Sequence, residues 1–381
     1  MRTLLTKRLG IRYPIIQAPM ANATDAKLVT VVSNLGGLGS LGAARMSPQE
    51  IRLAIREIRQ KLAAPNLPFN VNLFAPRDHF KDYVHPPTVQ HRVNMRQCAN
   101  EMRQELGMEP IHEDDDTSVD TYLLNEPGYS FEDQLNVVLE EKVPVFSFTF
   151  GIPPLDLLKS VRQNGTLIMG TVNSLEEALL LNETGVVDFI VAQGLEAGGH
   201  RAQFTQSEMM PLFSLVQQIV RSEQIDTERV PVVASGGIHT GDAIVSMLAL
   251  GASGVQVGTA FLPTHESCVS ETNKQVLLSG QFAEQGTVLT KVFSGRQCRF
   301  LRNRVMRELH RHESGCYPYP LQTLVMNDLF TEAKRQQHAD LVPVMCGQNF
   351  ALCKNQPTSA AQVFQQLVSE TESCLHRLNT I

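Results

Sequence analysis

Short apolar segments alternate with amphipathic segments along most of the chain. The apolar segments are six to eight residues long, rich in Val and Ile, and mostly lack the alternation of a half-exposed strand. Such runs are typical of parallel strands that are buried on both faces. Eight strands are predicted, at residues 15–20, 37–43, 68–74, 143–150, 166–172, 186–193, 230–235 and 254–261.

A segment with the period of a helix comes after each of the first seven strands. Capping residues support several of these helices: Ser47, with Pro48 and Glu50, forms a capping box, and Ser174 precedes another helix. Eight strand–helix units predict an α/β fold, the (β/α)8 or TIM barrel. The predicted helices span residues 24–34, 47–62, 131–141, 154–163, 175–183, 207–222 and 241–250.

Two stretches interrupt this pattern. Residues 75–127 form a polar insertion with one predicted helix at 89–106. After the eighth strand, helices are predicted at 272–279, 303–311 and 321–337 before a closing helix at 358–378. We therefore expect a barrel at 1–262, a mostly helical subdomain at 263–345 inserted between strand 8 and helix 8, and a closing segment at 346–381.

Composition narrows the classes of partner. The 381 residues are 43% hydrophobic with a net charge of −6, which gives no basic footprint for nucleic acid. No apolar run reaches the length of about 18 residues that a membrane span needs. The seven cysteines form no C-x-x-C pair, and no secretory signal is apparent. We expect reduced thiols and a cytoplasmic protein.

No metal site is predicted. The acidic run Glu113-Asp114-Asp115-Asp116 lacks the glycine and the spaced oxygens of a calcium loop, so we interpret it as solvated. The sequence also lacks H-E-x-x-H and G-x-S-x-G motifs.

The seventh and eighth strands end in glycine-rich turns, at Ser235-Gly236-Gly237 and at Gly258-Thr259. Glycine lets backbone N–H groups face an anion, and loops seven and eight commonly hold phosphate in this fold. Gly236, Gly237, Gly258 and Thr259 are therefore candidate phosphate ligands. The alternative is that these glycines serve only tight turns.

His200 follows another glycine turn, Glu196-Ala197-Gly198-Gly199, after strand six. An imidazole can take a proton from a carbon acid or hold an anionic substrate. A structural histidine is the alternative interpretation. Glu196 could be a base or could cap the turn, and the sequence leaves both open.

The other residues at the strand ends are mainly amides, hydroxyls and small residues. They suit a planar heterocycle with a phosphate tail better than a metal cage or a pair of facing carboxylates. They are Gln17-Ala18-Pro19-Met20-Ala21, Asn70 and Asn72, Gly170-Thr171, and Gln193-Gly194.

Together these motifs resemble those of the nitronate monooxygenases, formerly called 2-nitropropane dioxygenases. The resemblance covers nearly all of the predicted barrel and continues to Gly347-Gln348. It is carried by Gln17-Ala18-Pro19-Met20-Ala21, Gly36-Gly37-Leu38-Gly39, Phe69-Asn70-Val71-Asn72-Leu73-Phe74, Gln193-Gly194, Glu196-Ala197-Gly198-Gly199-His200-Arg201, Ala234-Ser235-Gly236-Gly237-Ile238, Phe293-Ser294-Gly295-Arg296 and Asn303-Arg304.

The resemblance implies noncovalent FMN and the oxidation of alkyl nitronates by O2 to carbonyl compounds and nitrite, with neutral nitroalkanes as further substrates to test. His200 would be the base or the substrate anchor. Pro19, Met20 and Ala21 would run along the flavin ring, with Asn70 and Gln193 at its edge. Gly198, Gly236, Gly237, Gly258 and Thr259 would hold the phosphate. Ala18, Thr171, Gly199 and Ser235 complete the expected cofactor-binding set.

Two departures from the family pattern concern the substrate. The 75–127 insertion is longer than expected, and Val344-Met345-Cys346 stands where an aromatic residue is more usual.

Other functions stay open at this stage. A flavin-dependent enoyl-acyl-carrier-protein reductase using NAD(P)H shares the barrel and the glycine turns, although Arg201 after the histidine favours the monooxygenase. A non-redox barrel that binds a phosphorylated metabolite is a third interpretation. The arginines of 296–307 are either solvated and ion-paired or reach the rim of the site. A homodimer is also open.

Overall fold

Eight parallel strands form the centre of the molecule in the computed structural model, which describes residues 1–76, 88–112 and 128–380. The strands are β1 (Ile15–Gln17), β2 (Gly39–Gly42), β3 (Phe69–Phe74), β4 (Val145–Thr149), β5 (Leu167–Val172), β6 (Phe189–Gln193), β8 (Val232–Ser235) and β9 (Gly254–Val257). Their order is β1-β9-β8-β6-β5-β4-β3-β2, and a parallel bridge between Ile16 and Leu38 links the two ends. The sheet is thus a nearly closed barrel, and the predicted TIM barrel is confirmed.

The barrel helices lie where the pattern predicts them, with ends displaced by a few residues. Ser47 and Glu50 form the predicted capping box at the start of the second of these helices. The last helix packs against the helices at Ala26–Asn34 and Gly241–Ala249, as expected for an eighth barrel helix. In chain order they are α2 (Ala26–Asn34), α3 (Pro48–Lys61), α5 (Phe131–Glu140), α6 (Leu155–Gln163), α7 (Leu175–Glu183), α8 (Leu212–Val220), α9 (Gly241–Ala249) and α13 (Ala360–Leu378).

A short N-terminal helix, α1 (Leu4–Leu9), escaped prediction. Leu5 and Leu9 pack in one buried cluster with Ile16, Phe189 and other residues of the barrel interior. The helix therefore fills the end of the barrel opposite the strand C-termini. Six residues are too few for a helical period to be recognised.

The region from 263 to 345 contains helices α10 (Glu271–Ser279), α11 (Arg304–His310) and α12 (Leu321–Arg335), and also strands β10 (Thr287–Thr290) and β11 (Cys298–Leu301). The two strands form an antiparallel three-stranded sheet with β7 (Gly199–His200). The expectation of a largely helical region missed this sheet, because strands of two to four residues leave little periodicity and their partners are remote in sequence. The domain boundaries stay a prediction.

The helix predicted in the 75–127 insertion is present as α4 (Val89–Glu105). Its buried residues Met95 and Met102 share a hydrophobic cluster with Val305 and Leu329, so α4 packs on the 263–345 region. The acidic run at 113–116 lies outside the described residues.

Three further observations concern the chemistry of the described residues. All seven cysteines are unpaired. No described helix is long and apolar enough to cross a membrane. No group of three or more His, Cys, Asp or Glu in the described ranges is placed to hold a metal ion.

Candidate active site

A cavity of about 570 Å³ opens at the C-terminal ends of the barrel strands. It is bounded by the barrel loops on one side and by residues of the 263–349 region on the other. Every predicted site residue except Asn70 lines it: Ala18, Pro19, Met20, Ala21, Thr171, Gln193, Gly198, Gly199, His200, Ser235, Gly236, Gly237, Gly258 and Thr259.

Asn70 lies below the cavity wall, and Asn72 lines the wall in its place. The two residues share one face of β3, but Asn72 is one pleat nearer to the strand C-terminus. Both side-chain amides donate to Ser147 Oγ at 2.9 Å. The Oδ1 atom of Asn70 is buried without a partner in the described part of the chain. Asn70 can thus support the wall, whereas Asn72 can reach a ligand.

The turns after β8 and β9 offer backbone N–H donors that have no acceptor in the described part of the chain. No backbone hydrogen bond within the described ranges uses the N–H of Gly236, Gly237, Gly258 or Thr259. The φ angles of Gly236 and Gly237 are 119° and 68°, and a Cβ on Gly236 would lie 3.0 Å from Ala197. Glycine is therefore required here by conformation and by space. Four free N–H groups beside a cavity can hold an anion such as phosphate.

The segment before α13 ties these turns together. Gly347 N–H donates to Thr259 Oγ1, and Gln348 N–H donates to the Glu196 carbonyl, each at 2.9 Å. The Asn349 amide donates to the Gly237 carbonyl. A Cβ on Gly198 would lie 2.5 Å from the Gly347 nitrogen, so this glycine permits the close approach.

Glu196 caps a helix. Both of its carboxylate oxygens accept from the N–H of Leu212, the first residue of α8, at 3.0 and 2.9 Å. Pro211 precedes that helix and supplies no side-chain cap. Because Glu196 is also absent from the cavity wall, the structure favours the capping interpretation over a base.

His200 lies on strand β7 and lines the cavity. Its backbone pairs with Cys298 of β11, and its Nε2 lies 2.7 Å from Ser294 Oγ. Aromatic rings enclose the imidazole edge-to-face, with centroid distances of 5.9 Å to Phe150, 6.0 Å to Tyr319 and 6.4 Å to Phe293.

Burial lowers the pKa of His200 to about 3, and the positive charges of Arg45, Arg296 and Arg201 act in the same direction. The imidazole is therefore neutral at pH 7.

Comparison with known proteins identifies the family. The family model described as nitronate monooxygenase matches residues 2–370. The chain belongs to the nitronate monooxygenase family, and it is an oxidoreductase.

Individual relatives and solved structures are similar to the chain over nearly its whole length. A probable nitronate monooxygenase of Staphylococcus saprophyticus is 33% identical over 98% of this chain and 99% of its own. The crystal structure of nitroalkane oxidase from Streptomyces ansochromogenes has a TM-score of 0.81 at 30% identity, covering 99% of this chain and 100% of that chain. FabK from Thermotoga maritima has a TM-score of 0.72 at 27% identity, covering 100% and 99%.

In this nitronate monooxygenase family member, three buried arginines hold the loop that carries His200. Arg201 donates to the carbonyls of Gly194 and Ala197 at 2.8 and 2.9 Å. Arg299 donates twice to the Leu195 carbonyl, at 3.0 and 2.7 Å. These charge-assisted bonds fix the backbone on either side of the imidazole.

Arg296 is the third of these arginines. Its Nε donates to the Arg201 carbonyl at 3.3 Å, and its guanidinium lies 4.3 Å from the Phe150 ring centroid. It thus joins the His200 strand to the aromatic wall of the cavity.

The arginine cluster predicted as one unit is therefore divided. Arg296 and Arg299 are buried against the 194–203 loop. Arg304 pairs with Glu105, and Arg307 pairs with Glu308. Arg302 is exposed. The interpretation as solvated or ion-paired residues thus describes Arg302, Arg304 and Arg307, and neither that interpretation nor a cationic rim describes Arg296 and Arg299.

Two cations that sequence reasoning missed, Arg45 and Lys334, line the cavity. None of the described residues of the lining is an Asp or a Glu. The cavity therefore favours anions. Arg45 follows β2 in a stretch of small residues, and Lys334 lies near the end of α12; neither position carries a motif, so folding alone places them here.

Proposed function

We propose that this protein binds FMN in the cavity and oxidises alkyl nitronates with O2 to carbonyl compounds and nitrite. The observation that carries the proposal is that one cavity is lined both by backbone N–H groups without an acceptor in the described residues and by a neutral histidine. An anionic coenzyme and a small anionic substrate fit such a site better than a neutral metabolite does.

The residues on the wall fit the parts of FMN. Gly236, Gly237, Gly258 and Thr259 would hold the phosphate, with Gly198, Gly199 and Ser235 beside it. Ala18, Pro19, Met20 and Ala21 would lie along the flavin ring, and Thr171, Gln193 and Asn72 would offer polar groups at its edge. When bound, FMN would supply the electron chemistry, which no side chain of this site provides.

The chain itself would bind and orient the nitronate. Arg45 and Lys334 raise the local concentration of anions at the cavity. The rings of Phe150, Phe293 and Tyr319 exclude water around His200. His200 would contact the substrate directly.

The protonation of His200 bears on the choice of substrate. A group with a pKa near 3 is a weak base at neutral pH, and efficient general bases have a pKa near the working pH. We therefore expect the nitronate anion, which needs no deprotonation, to be a much better substrate than the neutral nitroalkane.

The alternative is an enoyl-acyl-carrier-protein reductase that uses NAD(P)H. In the sequence, Arg201 after the histidine favours the monooxygenase over this reductase, but the structure gives Arg201 another role. Arg201 is 1% exposed and holds backbone carbonyls, so its identity reports loop structure and not substrate. A non-redox phosphate-binding barrel would use the same glycine turns.

Steady-state assays separate the three functions. FMN-loaded protein should consume O2 and release nitrite with ethyl nitronate, and it should not reduce an enoyl thioester with NADPH. Thioester reduction without nitrite release would establish the reductase, and a protein that fails to bind FMN at all would support the non-redox barrel.

A cytoplasmic location and a homodimer stay predictions from the sequence.

A further inference from the structure

Ser294 is the hydrogen-bonding partner of His200, although it lies 94 residues away in the chain. Its side chain is fully buried, and its Oγ is 2.7 Å from Nε2 of the imidazole. The turn around Ser294 is itself ordered. The Ser294 N–H donates to the Lys291 carbonyl at 3.2 Å, and the Arg296 N–H donates to Ser294 Oγ at 3.4 Å.

The direction of the Ser294–His200 bond follows from the number of protons. A serine hydroxyl has one proton to donate and can accept twice. Within the described residues, His200 Nε2 is the one acceptor in reach of the Ser294 hydroxyl. If Nε2 carried a proton, the hydroxyl proton would be buried without an acceptor, which costs free energy. Ser294 therefore donates, and Nε2 accepts.

This direction determines the tautomer. A neutral imidazole that accepts at Nε2 carries its proton on Nδ1. The positive charges of Arg45, Arg201 and Arg296 all oppose a second proton on the ring. Nδ1 makes no hydrogen bond to any described residue, and it is not one of the buried side-chain atoms without a hydrogen-bond partner. The ring lines the cavity, so Nδ1–H is the group available to a ligand.

We propose that Ser294 is a positioning residue: it holds His200 as the Nδ1–H tautomer, so that the imidazole donates a hydrogen bond to a nitronate oxygen and does not act as a base. This inference rests on the proposed function for the identity of the ligand, but the tautomer stands without it. The interaction transfers no proton. His200 binds a charge that the substrate already carries.

The tautomer can be read directly by ¹⁵N NMR. Protein labelled with ¹⁵N-histidine gives distinct shifts for the protonated and unprotonated ring nitrogens, and His200→Asn identifies the signals of His200. We expect Nδ1 protonated and Nε2 unprotonated at pH 7 in the FMN-loaded protein. In Ser294→Ala the two forms should mix, because Nε2 has lost its donor. A wild-type ring protonated on Nε2, or on both nitrogens, would overturn the proposal.

Kinetics provide the second readout. Ser294→Ala should raise the KM for ethyl nitronate by about tenfold and change kcat by less than about twofold, because a weaker donor binds the anion less well. The matched control is Ser33→Ala. It removes another buried hydroxyl, which donates to the Pro68 carbonyl at 2.9 Å away from the cavity lining, and it should leave KM unchanged.

The outcomes distinguish the two proposals. An unchanged KM in Ser294→Ala, with the fold confirmed by circular dichroism, would overturn the role of Ser294. If the wild-type protein does not turn over ethyl nitronate, the proposed function fails, while the NMR experiment still decides the tautomer.

Discussion

Two parts of the cavity lining are built in different ways. One part consists of backbone N–H groups at glycine turns that directly follow their strands. The other part is the imidazole of His200, which depends on Ser294 and Arg296, side chains more than 90 residues away. The part that would hold the cofactor is therefore specified by local sequence, and the part that would hold the substrate is specified by tertiary contacts.

The largest expected effect concerns the glycine turns. Gly236→Val should raise the dissociation constant of FMN on the order of 1,000-fold, because a β-branched residue does not adopt a φ of 119° and its Cβ would crowd Ala197. Titration of apoprotein with FMN measures this. Gly165→Val is the control: it has a φ of 83° in open space, away from the cavity lining. Equal affinities of the two variants for FMN would show that the turn at Gly236 does not bind the cofactor.

The next effect tests the loop that carries His200, through the stability of the protein. Arg201→Met should lower the free energy of unfolding by about 3 kcal/mol, because the buried carbonyls of Gly194 and Ala197 lose a charged donor. Urea unfolding measures the change. Arg302→Met at an exposed position should stay within about 0.5 kcal/mol of the wild type. Similar losses of stability in the two variants would show that the hydrogen bonds of Arg201 to Gly194 and Ala197 do not stabilise the fold.

The third effect separates binding from turnover. His200→Asn should keep FMN bound while kcat/KM for ethyl nitronate falls on the order of 100-fold, or about 2.7 kcal/mol. Stopped assays of nitrite, together with the absorbance of bound flavin, report both quantities. Rates equal to those of the wild type would exclude the histidine from the mechanism.

The smallest effect concerns the charge at the cavity. Arg45→Gln should lower kcat/KM for the nitronate about fivefold at low ionic strength, and the difference should shrink near 1 M salt, where screening is nearly complete. A loss that persists at high salt would indicate a direct contact with the substrate and not steering.

The same division explains how far the sequence was informative. Strand runs, capping residues such as Ser47 and the glycine turns at Gly236 and Gly258 are local signals, and they predicted the barrel and most of the cavity lining. The sheet of β7, β10 and β11 was missed because its pairing is long-range and its strands are short. Arg45 and Lys334 carry no local signal. The motif points to Asn70 rather than Asn72, because a motif does not show which of two residues on one face of a strand lies nearer to the cavity.

Anaerobic mixing tests directly whether this cavity holds FMN beside a site for a nitronate anion. The FMN-loaded protein is mixed without O2, first with ethyl nitronate and, in a separate run, with NADPH, while the visible flavin absorbance is followed. We expect rapid bleaching by the nitronate and little change with NADPH. Rapid bleaching by NADPH, with no response to the nitronate, would contradict this expectation.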